Sequence, residues 1–197
     1  MPELAFLFTL GAAASLIGDH SHVATGTTEY LTDAVPFIWS SPIWFPLLVA
    51  VATVSLAETR LRLRAPRTTV TVRQGLAGVA AVIGIYVITA LEHTAPAVPV
   101  TVLIYAVAVI TWCVLGDGPG AVCGGLAAIG GPTVEAVLAG VGVFRYADDS
   151  DALSGVAPWL PALYFAFGVV VAVLAEIDTK DRELSVSSSA SGTPAAR

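Results

Sequence analysis

The chain has 197 residues, of which 56% are hydrophobic and only 12% are charged, and its mean hydropathy is +0.82. These values exclude an ordinary soluble domain, in which about a quarter of the residues are charged, and they predict an integral membrane protein. With a formal net charge of −6, no nucleic-acid partner is expected.

Six stretches are long and apolar enough to cross a bilayer as helices, which takes about 20 residues each. In chain order they are residues 3–18, 42–57, 74–92, 97–115, 120–144 and 158–176. The sequence therefore predicts an all-α integral membrane protein in which residues 1–176 form one bundle of six transmembrane helices. After residue 176 the chain becomes polar and serine-rich, and residues 177–197 are predicted to be a disordered cytoplasmic tail.

The cationic residues fall mostly on one side of a six-span topology. Only Arg145 lies on the other side. The side of the two termini carries Arg60, Arg62, Arg64, Arg67, Arg73, Lys180, Arg182 and Arg197. Because cytoplasmic segments are enriched in Lys and Arg, both termini are predicted to be cytoplasmic. The arginine-rich second connection could also bind anionic headgroups, but topology explains it without a further assumption. Arginine outnumbers lysine eight to one, and the chain is rich in Ala, Val and Gly, which indicates a bacterial protein and hence a bacterial plasma membrane rather than the endoplasmic reticulum.

The fifth span contains the sequence IGGPTVEAVL at residues 129–138, with a carboxylate deep in the bilayer. Ionisable residues at such a depth usually face the interior of a bundle and often mark a functional site. On a helical projection, Glu135 is aligned with small residues that let another helix approach closely. These are Gly124, Ala128, Gly131, Ala139 and Gly142. Glu135 is therefore predicted to point inward.

Pro132 removes one backbone donor from the fifth span, and Gly130 and Gly131 make a bend easy at this point. The bend and the Glu135 carboxylate are predicted to form the polar end of a pocket for an amphipathic molecule. The alternative is that Glu135 only hydrogen-bonds a neighbouring helix and that the bend is structural. The sequence leaves both interpretations open.

All three histidines lie near the predicted outer face. His20, His22 and His93, together with Glu92, carry the chemistry of a zinc or iron site. However, His-x-His brings two ligands together only on a strand or an irregular turn, and no HExxH or paired-cysteine signature accompanies it. Interfacial hydrogen bonds and helix capping by Asp19 or Ser21 are the expected roles. No metal or other cofactor is predicted, apart from a bound lipid.

Two short stretches in the first part of the chain resemble the Insig family, the insulin-induced gene proteins of the endoplasmic reticulum. The Asp-His-Ser-His run at residues 19–22 resembles an Asp-Ser-His at the end of that family's first span. Residues 92–94, Glu-His-Thr, resemble an Asn-His-Ala at the end of its third span.

The second half of the chain strengthens this resemblance to Insig proteins and to their bacterial relatives. Trp112, followed by Asp117 and a glycine-containing turn, resembles the cytoplasmic end of the family's fourth span. Residues 142–146, residues 148–149 and residues 159–161 resemble its Gly-Val-Tyr-Gln-Tyr, Pro-Asp and Trp-Leu-Pro at nearly equal spacing. The resemblance covers most of the chain.

The resemblance implies a six-helix bundle with both termini in the cytosol and no enzymatic activity. Family members bind a lipid within the bundle, an oxysterol in animals, and the occupied state holds sterol-regulated membrane partners. The family's glutamine in this pocket corresponds to Ala136, next to Glu135. Its functionally sensitive aspartate corresponds to Asp148 or Asp149, which are therefore candidates for contacting a partner.

The sequence thus predicts a non-enzymatic lipid-binding membrane protein, a sensor or scaffold whose cavity lies beside the fifth helix. The ligand is expected to be a sterol or, since bacteria mostly lack cholesterol, a two-tailed lipid with a small head such as diacylglycerol. The residues predicted to contact it are Glu135, Thr133, Pro132, Leu138, Val141, Phe144, Tyr105 and Trp112.

Two other functions remain as alternatives. One is a membrane metalloenzyme that uses the outer histidines and Glu92. The other is a small proton-coupled transporter gated by Glu135, although the repeated halves typical of such folds are not evident. The small residues of spans three and five also allow a homodimer or homotrimer, and other membrane proteins are possible partners.

Overall fold

The computed structural model describes residues 2–148 and 150–191, and six long helices account for most of them. They are α1 (Pro2–Thr25), α2 (Trp44–Leu63), α3 (Val72–Leu91), α4 (Ala97–Leu115), α5 (Gly118–Gly140) and α6 (Leu160–Ser191). Each contains a segment that is long and apolar enough to cross a membrane. The predicted all-α membrane fold with six transmembrane helices is therefore confirmed.

Four short strands, which the sequence analysis missed, lie at one end of the bundle. They are β1 (Thr28–Tyr30), β2 (Phe37–Ile38), β3 (Ser41–Pro42) and β4 (Phe144–Tyr146). β1 pairs antiparallel with β4, and β2 pairs antiparallel with β3. The pairing satisfies backbone groups in the connections next to the membrane, where an unpaired N–H is costly. Strands of two or three residues are too short for alternating hydrophobicity to reveal them. We call this end of the bundle the strand end.

The ends of α1, α2 and α5 differ from the predicted ones by four or more residues, and α2 continues to Leu63 instead of ending at residue 57. α1 continues to Thr25 instead of ending at residue 18, because the polar side chains of its last turns find partners inside the protein. α5 ends at Gly140 rather than at residue 144, since Gly142 has a φ of 75°, which an L side chain rarely adopts.

α6 also continues beyond its span to Ser191, whereas the sequence predicted disorder from residue 177. This segment contains the good helix formers Lys180, Arg182, Glu183 and Leu184, and it extends a helix that the span has already nucleated, so it avoids the cost of nucleation. Residues 192–197 of the predicted tail lie outside the described residues.

α6 is the central helix of the bundle. In its spanning segment 67% of the residues are buried, against 22% to 44% in the other five spans. Leu163, Ala166 and Val169 are fully buried, and α6 packs against α2, α3, α4 and α5. An apolar side chain on every face lets α6 pack against four helices at once.

α5 and α6 pack closely because glycines leave no side chain between them. A Cβ atom at Gly168 would lie 2.5 Å from the carbonyl oxygen of Cys123, and one at Gly124 would lie 3.0 Å from that of Phe165. A Cβ at Gly131 would lie 2.5 Å from the ring of Tyr164. The predicted close approach along the small-residue face of the fifth span is confirmed, and α6 is the helix that approaches.

A buried ion network joins four segments at the opposite end of the bundle, which we call the arginine end. Arg60 of α2 and Glu176 of α6 are both fully buried, and the guanidinium of Arg60 donates to the Glu176 carboxylate and to Asp117, 3.3 Å away. Arg67 donates to the other Glu176 oxygen over 2.6 Å. These hydrogen bonds raise the pKa of the Arg67 guanidinium. The positive charges of Arg60 and Arg67 are balanced by the negative charges of Asp117 and Glu176. From the sequence, the two arginines were interpreted only as topology signals.

The glycine contacts predict opposite effects for two alanine substitutions. In Gly168→Ala the new Cβ meets the backbone of α5, so we expect the variant to be less stable by about 1–3 kcal/mol. Gly125→Ala is the matched control, because nothing lies within 4 Å of its Cβ position and alanine favours a helix by up to about 1 kcal/mol. The apparent melting temperature in detergent should fall for Gly168→Ala and hold or rise for Gly125→Ala. Equal melting temperatures would contradict close helix packing.

The ion network predicts that Glu176→Gln destabilises the protein by about 3–5 kcal/mol, because the guanidiniums of Arg60 and Arg67 are then left to share Asp117, a partly exposed and more distant carboxylate. Glu58→Gln is the control, since Glu58 forms an exposed pair with Arg62 whose loss costs less than about 1 kcal/mol. Thermal unfolding followed by size-exclusion chromatography measures both. A Glu176→Gln variant as stable as the control would show that the network contributes little.

Candidate functional site

A cavity of about 310 Å³ lies inside the bundle, in the half next to the strand end. Its walls come from α1, α2, α5 and α6, and Tyr86 of α3 and strands β1 and β4 complete it. Apolar side chains such as Leu56, Leu126 and Ala127 line the part that faces the arginine end. Polar side chains collect at the other end. The cavity is therefore amphipathic, with its polar part close to the membrane surface.

One polar group of the cavity is built around Glu135. Its two carboxylate oxygens accept hydrogen bonds of 2.6 Å, one from the Tyr164 hydroxyl of α6 and one from the Tyr146 hydroxyl of β4. Gly131 lies one turn before Glu135, and the missing side chain leaves room for the ring of Tyr164 to reach the carboxylate. Glu135 thus points inward as predicted.

A second polar group is built around Asp19 of α1. The Tyr30 hydroxyl of β1 donates to both carboxylate oxygens, over 3.0 and 3.1 Å, and the Ser41 hydroxyl of β3 donates to one of them. The expectation that Asp19 caps a helix was wrong. The residue lies within α1, and its carboxylate is held by tertiary partners instead of by the backbone of a helix end.

The tyrosines that serve these two carboxylates remain protonated. Burial, followed by the nearby Asp19 carboxylate, raises the pKa of Tyr30 above its ordinary value. Burial, followed by the nearby Glu135 carboxylate, likewise raises the pKa of Tyr146. Both hydroxyls therefore act as donors, and the carboxylates accept.

The histidines have separate partners. Nε2 of His22 is 2.8 Å from the Thr89 hydroxyl, Nδ1 of His20 is 3.0 Å from the Ser40 hydroxyl, and Nδ1 of His93 is 2.8 Å from the Ala90 carbonyl. His20 and His22 lie on one helix, where a spacing of two residues places them on different faces. In the described ranges, no three His, Cys, Asp or Glu side chains are grouped so that they could hold a metal ion. The alternative of a metal site at these histidines and Glu92 therefore has no support in the structure.

The residues predicted to contact a lipid are only partly brought together. Glu135, Leu138 and Phe144 line the cavity. Pro132, Thr133, Val141, Tyr105 and Trp112 do not.

Helix geometry explains the residues of α5 and α4 that lie away from the cavity. Positions 131, 134, 135 and 138 of α5 share the face toward the cavity, whereas Thr133 lies on another face and its hydroxyl donates to the Ile129 carbonyl. Tyr105 is 44% exposed on α4, and the Trp112 indole donates to the Asp117 carbonyl near the arginine end. Depth in the bilayer had suggested these residues, but depth does not determine the face of a helix.

α2 provides a wall of the cavity that was not predicted from the sequence, and this wall includes Trp44, Phe45, Leu48 and Ala52. α2 is apolar on every face, so no periodicity marks its inner side. Tyr164 could have been found, because a tyrosine within a span needs a partner for its hydroxyl. Of the two candidates for partner contact, Asp148 is exposed just after β4, and Asp149 lies outside the described residues.

These features define a small polytopic membrane protein with an amphipathic cavity inside its bundle. No protein-family model matches the chain. The INSIG protein homologue of Mycolicibacterium vanbaalenii is 66% identical over 175 residues, which cover 89% of this chain and 86% of that protein. The chain belongs to the Insig family, whose members are membrane proteins that sense sterols and act as scaffolds. This chain is an integral protein of a bacterial membrane.

Solved structures agree with this assignment. The crystal structure of MvINS, a mycobacterial Insig homologue from Mycobacterium vanbaalenii, matches with a TM-score of 0.91 and 64% sequence identity. The match covers 92% of this chain and 96% of that one. A crystal structure of a cross-linked trimer of an MvINS cysteine variant matches equally well, with a TM-score of 0.91 and 63% identity.

The geometry around Glu135 predicts that Tyr164→Phe lowers stability by about 1–3 kcal/mol, because one oxygen of a part-buried carboxylate loses its donor. Tyr105→Phe makes the same chemical change on the exposed face of α4, away from the cavity, and should cost less than about 0.5 kcal/mol. The comparison of apparent melting temperatures in detergent tests this prediction. A loss of equal size in both variants would indicate that the Glu135 hydrogen bond contributes nothing specific.

Proposed function

We propose that this chain is a non-enzymatic lipid-binding protein that holds a neutral lipid in its cavity, with the hydroxyl-bearing head at Glu135 and the apolar part toward α2. The observation that carries this proposal is the amphipathic cavity, apolar over most of its wall and polar at one end. Pockets for small molecules have this composition, with a few polar groups that orient the ligand. Membership of the Insig family supports the same class of ligand.

Hydrogen-bonding capacity at the polar end favours a head that donates protons. An ionised carboxylate can accept about four hydrogen bonds, and Tyr146 and Tyr164 supply two to Glu135. Asp19 likewise has Tyr30 and Ser41 as its donors. The remaining acceptor capacity of the two carboxylates faces the cavity. A hydroxyl of a sterol or a glyceride can use it.

The lining of the cavity disfavours a phospholipid. None of the described residues that line it is a lysine or an arginine, whereas two acidic residues, Asp19 and Glu135, do line it. A phosphate there would lose its hydration shell without gaining a counter-ion, which is unfavourable. The absence of a cationic side chain among these residues therefore favours an uncharged lipid, and in a bacterium diacylglycerol is the natural candidate beside a sterol-like molecule.

A role as sensor or scaffold follows from the family, and it implies assembly with membrane proteins. We propose a homo-oligomer, a trimer or a dimer, because the structure of an MvINS variant is a cross-linked trimer. Asp148 and Asp149 remain our candidates for contacting other membrane proteins. We also propose that the arginine end, where α1 begins and the spanning segment of α6 ends, faces the cytoplasm, because cytoplasmic segments are enriched in Arg and Lys.

Native mass spectrometry of the protein purified in a mild detergent tests lipid binding. We expect about one phosphate-free lipid per chain in the natural protein. The Glu135→Leu variant should retain added dioleoylglycerol at least about tenfold more weakly than the natural protein, because it loses the hydrogen bonds that the carboxyl group makes. Glu92→Leu is the matched control, because Glu92 is exposed and does not line the cavity. It should bind as the natural protein does.

The other outcomes discriminate between the remaining functions. A protein that keeps its fold but carries no stoichiometric lipid and takes up no dioleoylglycerol overturns the proposal. Recovery of a phospholipid instead would overturn the argument from charge. Proton flux in proteoliposomes that disappears in Glu135→Gln would favour the transporter alternative.

A further inference from the structure

The wall of the cavity is incomplete between α2 and α5. Five of its lining residues are exposed, and all five lie on α2 or α5: Leu48 (43% exposed) and Ser55 on α2, and Leu126 (51%), Gly130 and Val134 (42%) on α5. A side chain that borders a cavity and the outer surface at once lies at an opening. Since α2 and α5 both span the membrane, this opening faces lipid.

The opening has a defined lower edge. Nearer the arginine end the two helices meet, with the buried Cys123 thiol 3.8 Å from the Leu56 carbonyl oxygen. Above this contact, the residues of α5 that line the gap extend from Leu126 to Val134. Eight residues of helix correspond to about 12 Å along the axis. The gap thus reaches from the middle of the bilayer to the polar end of the cavity, because Glu135 directly follows Val134.

Gly130 lies in the middle of this gap. It lines the cavity, it is exposed, and a Cβ atom placed on it would have no atom within 4 Å. Its neighbour Gly131 is different, since a Cβ there would meet the Tyr164 ring at 2.5 Å. A glycine inside a helix costs about 1 kcal/mol relative to alanine. Close packing against α6 explains why position 131 is a glycine despite this cost, but it does not explain the glycine at position 130.

We propose that the gap between α2 and α5 is a lateral portal through which the lipid enters and leaves, and that Gly130 keeps it open. This inference rests on the proposed lipid-binding function. A two-tailed lipid is larger than a cavity of about 310 Å³, so its acyl chains extend through the portal into the bilayer. The orientation fits the leaflet at the strand end, because Glu135 lies nearer than Gly130 to the end of α5 on that side, so a head held at Glu135 leaves the tails at the level of Gly130.

The rate of lipid uptake tests the portal. Protein depleted of lipid is reconstituted in phosphatidylcholine nanodiscs and mixed with vesicles that contain deuterated dioleoylglycerol, and native mass spectrometry follows loading with time. In Gly130→Leu a side chain projects into the gap, and we expect uptake, and release after loading, to slow by about tenfold. Gly125→Leu is the matched control, because its side chain also enters open space but does not line the cavity.

A second pair of variants closes the gap from the α2 side. Leu48→Trp enlarges a residue that borders the portal, whereas Leu47→Trp enlarges its equally exposed neighbour, which does not line the cavity. We expect slow exchange only in Leu48→Trp. This pair keeps the test decisive if Gly130→Leu does not fold.

The outcomes separate the portal from the proposed function. If the natural protein takes up dioleoylglycerol but Gly130→Leu and Leu48→Trp exchange it as fast as their controls, the portal is wrong and lipid binding stands. If the natural protein takes up none, lipid binding and the portal are both wrong. If both controls slow exchange as much as the portal variants, the effect is not specific to the gap, and the portal is also wrong.

Discussion

The structure depends on the close approach of α5 to α6, which glycines make possible. Gly124 of α5 and Gly168 of α6 bring the two backbones together at one level, and Gly131 of α5 lies against the ring of Tyr164 at a second level. Lipid tails are as apolar as the helices, so association in a bilayer comes mainly from such packing and from hydrogen bonds between helices. The contact at Gly131 also places the Tyr164 hydroxyl on the Glu135 carboxylate. Helix packing and the polar end of the cavity therefore have the same origin.

The position of α2 follows from a second constraint, the burial of charge at the arginine end. Arg60 is fully buried and has to stay with Glu176 and Asp117, which holds this end of α2 against α5 and α6. Toward the strand end no such network among the described residues joins α2 to α5, and the cavity lies there. Ion pairs hold the helices together at the arginine end, and the helices separate toward the strand end. The bundle therefore has room for an amphipathic molecule while its hydrophobic core stays packed.

The strand end shows how a membrane protein satisfies polar groups near the bilayer surface. The β1 and β4 strands pair across two distant connections, and Tyr30 and Tyr146 extend from them to the two carboxylates of the cavity. The polar end of the cavity is thus made by side chains from helices and from strands together. Rigid positioning of both sets pre-organises hydrogen bonds for a ligand, which lowers the cost of binding.

The amino-acid sequence by itself determined the six spans, the membrane environment, the family, and the inward direction of Glu135. Long apolar segments and a stripe of small residues are local patterns, and the bilayer makes them nearly sufficient. Only the tertiary structure decided that Arg60 and Glu176 form one buried network, that Asp19 accepts from Tyr30, and that α2 rather than α4 lines the cavity. These contacts join residues far apart in the chain. An apolar helix carries no periodic signal that tells its protein-facing side from its lipid-facing side, so tertiary packing alone determines which side lines a cavity.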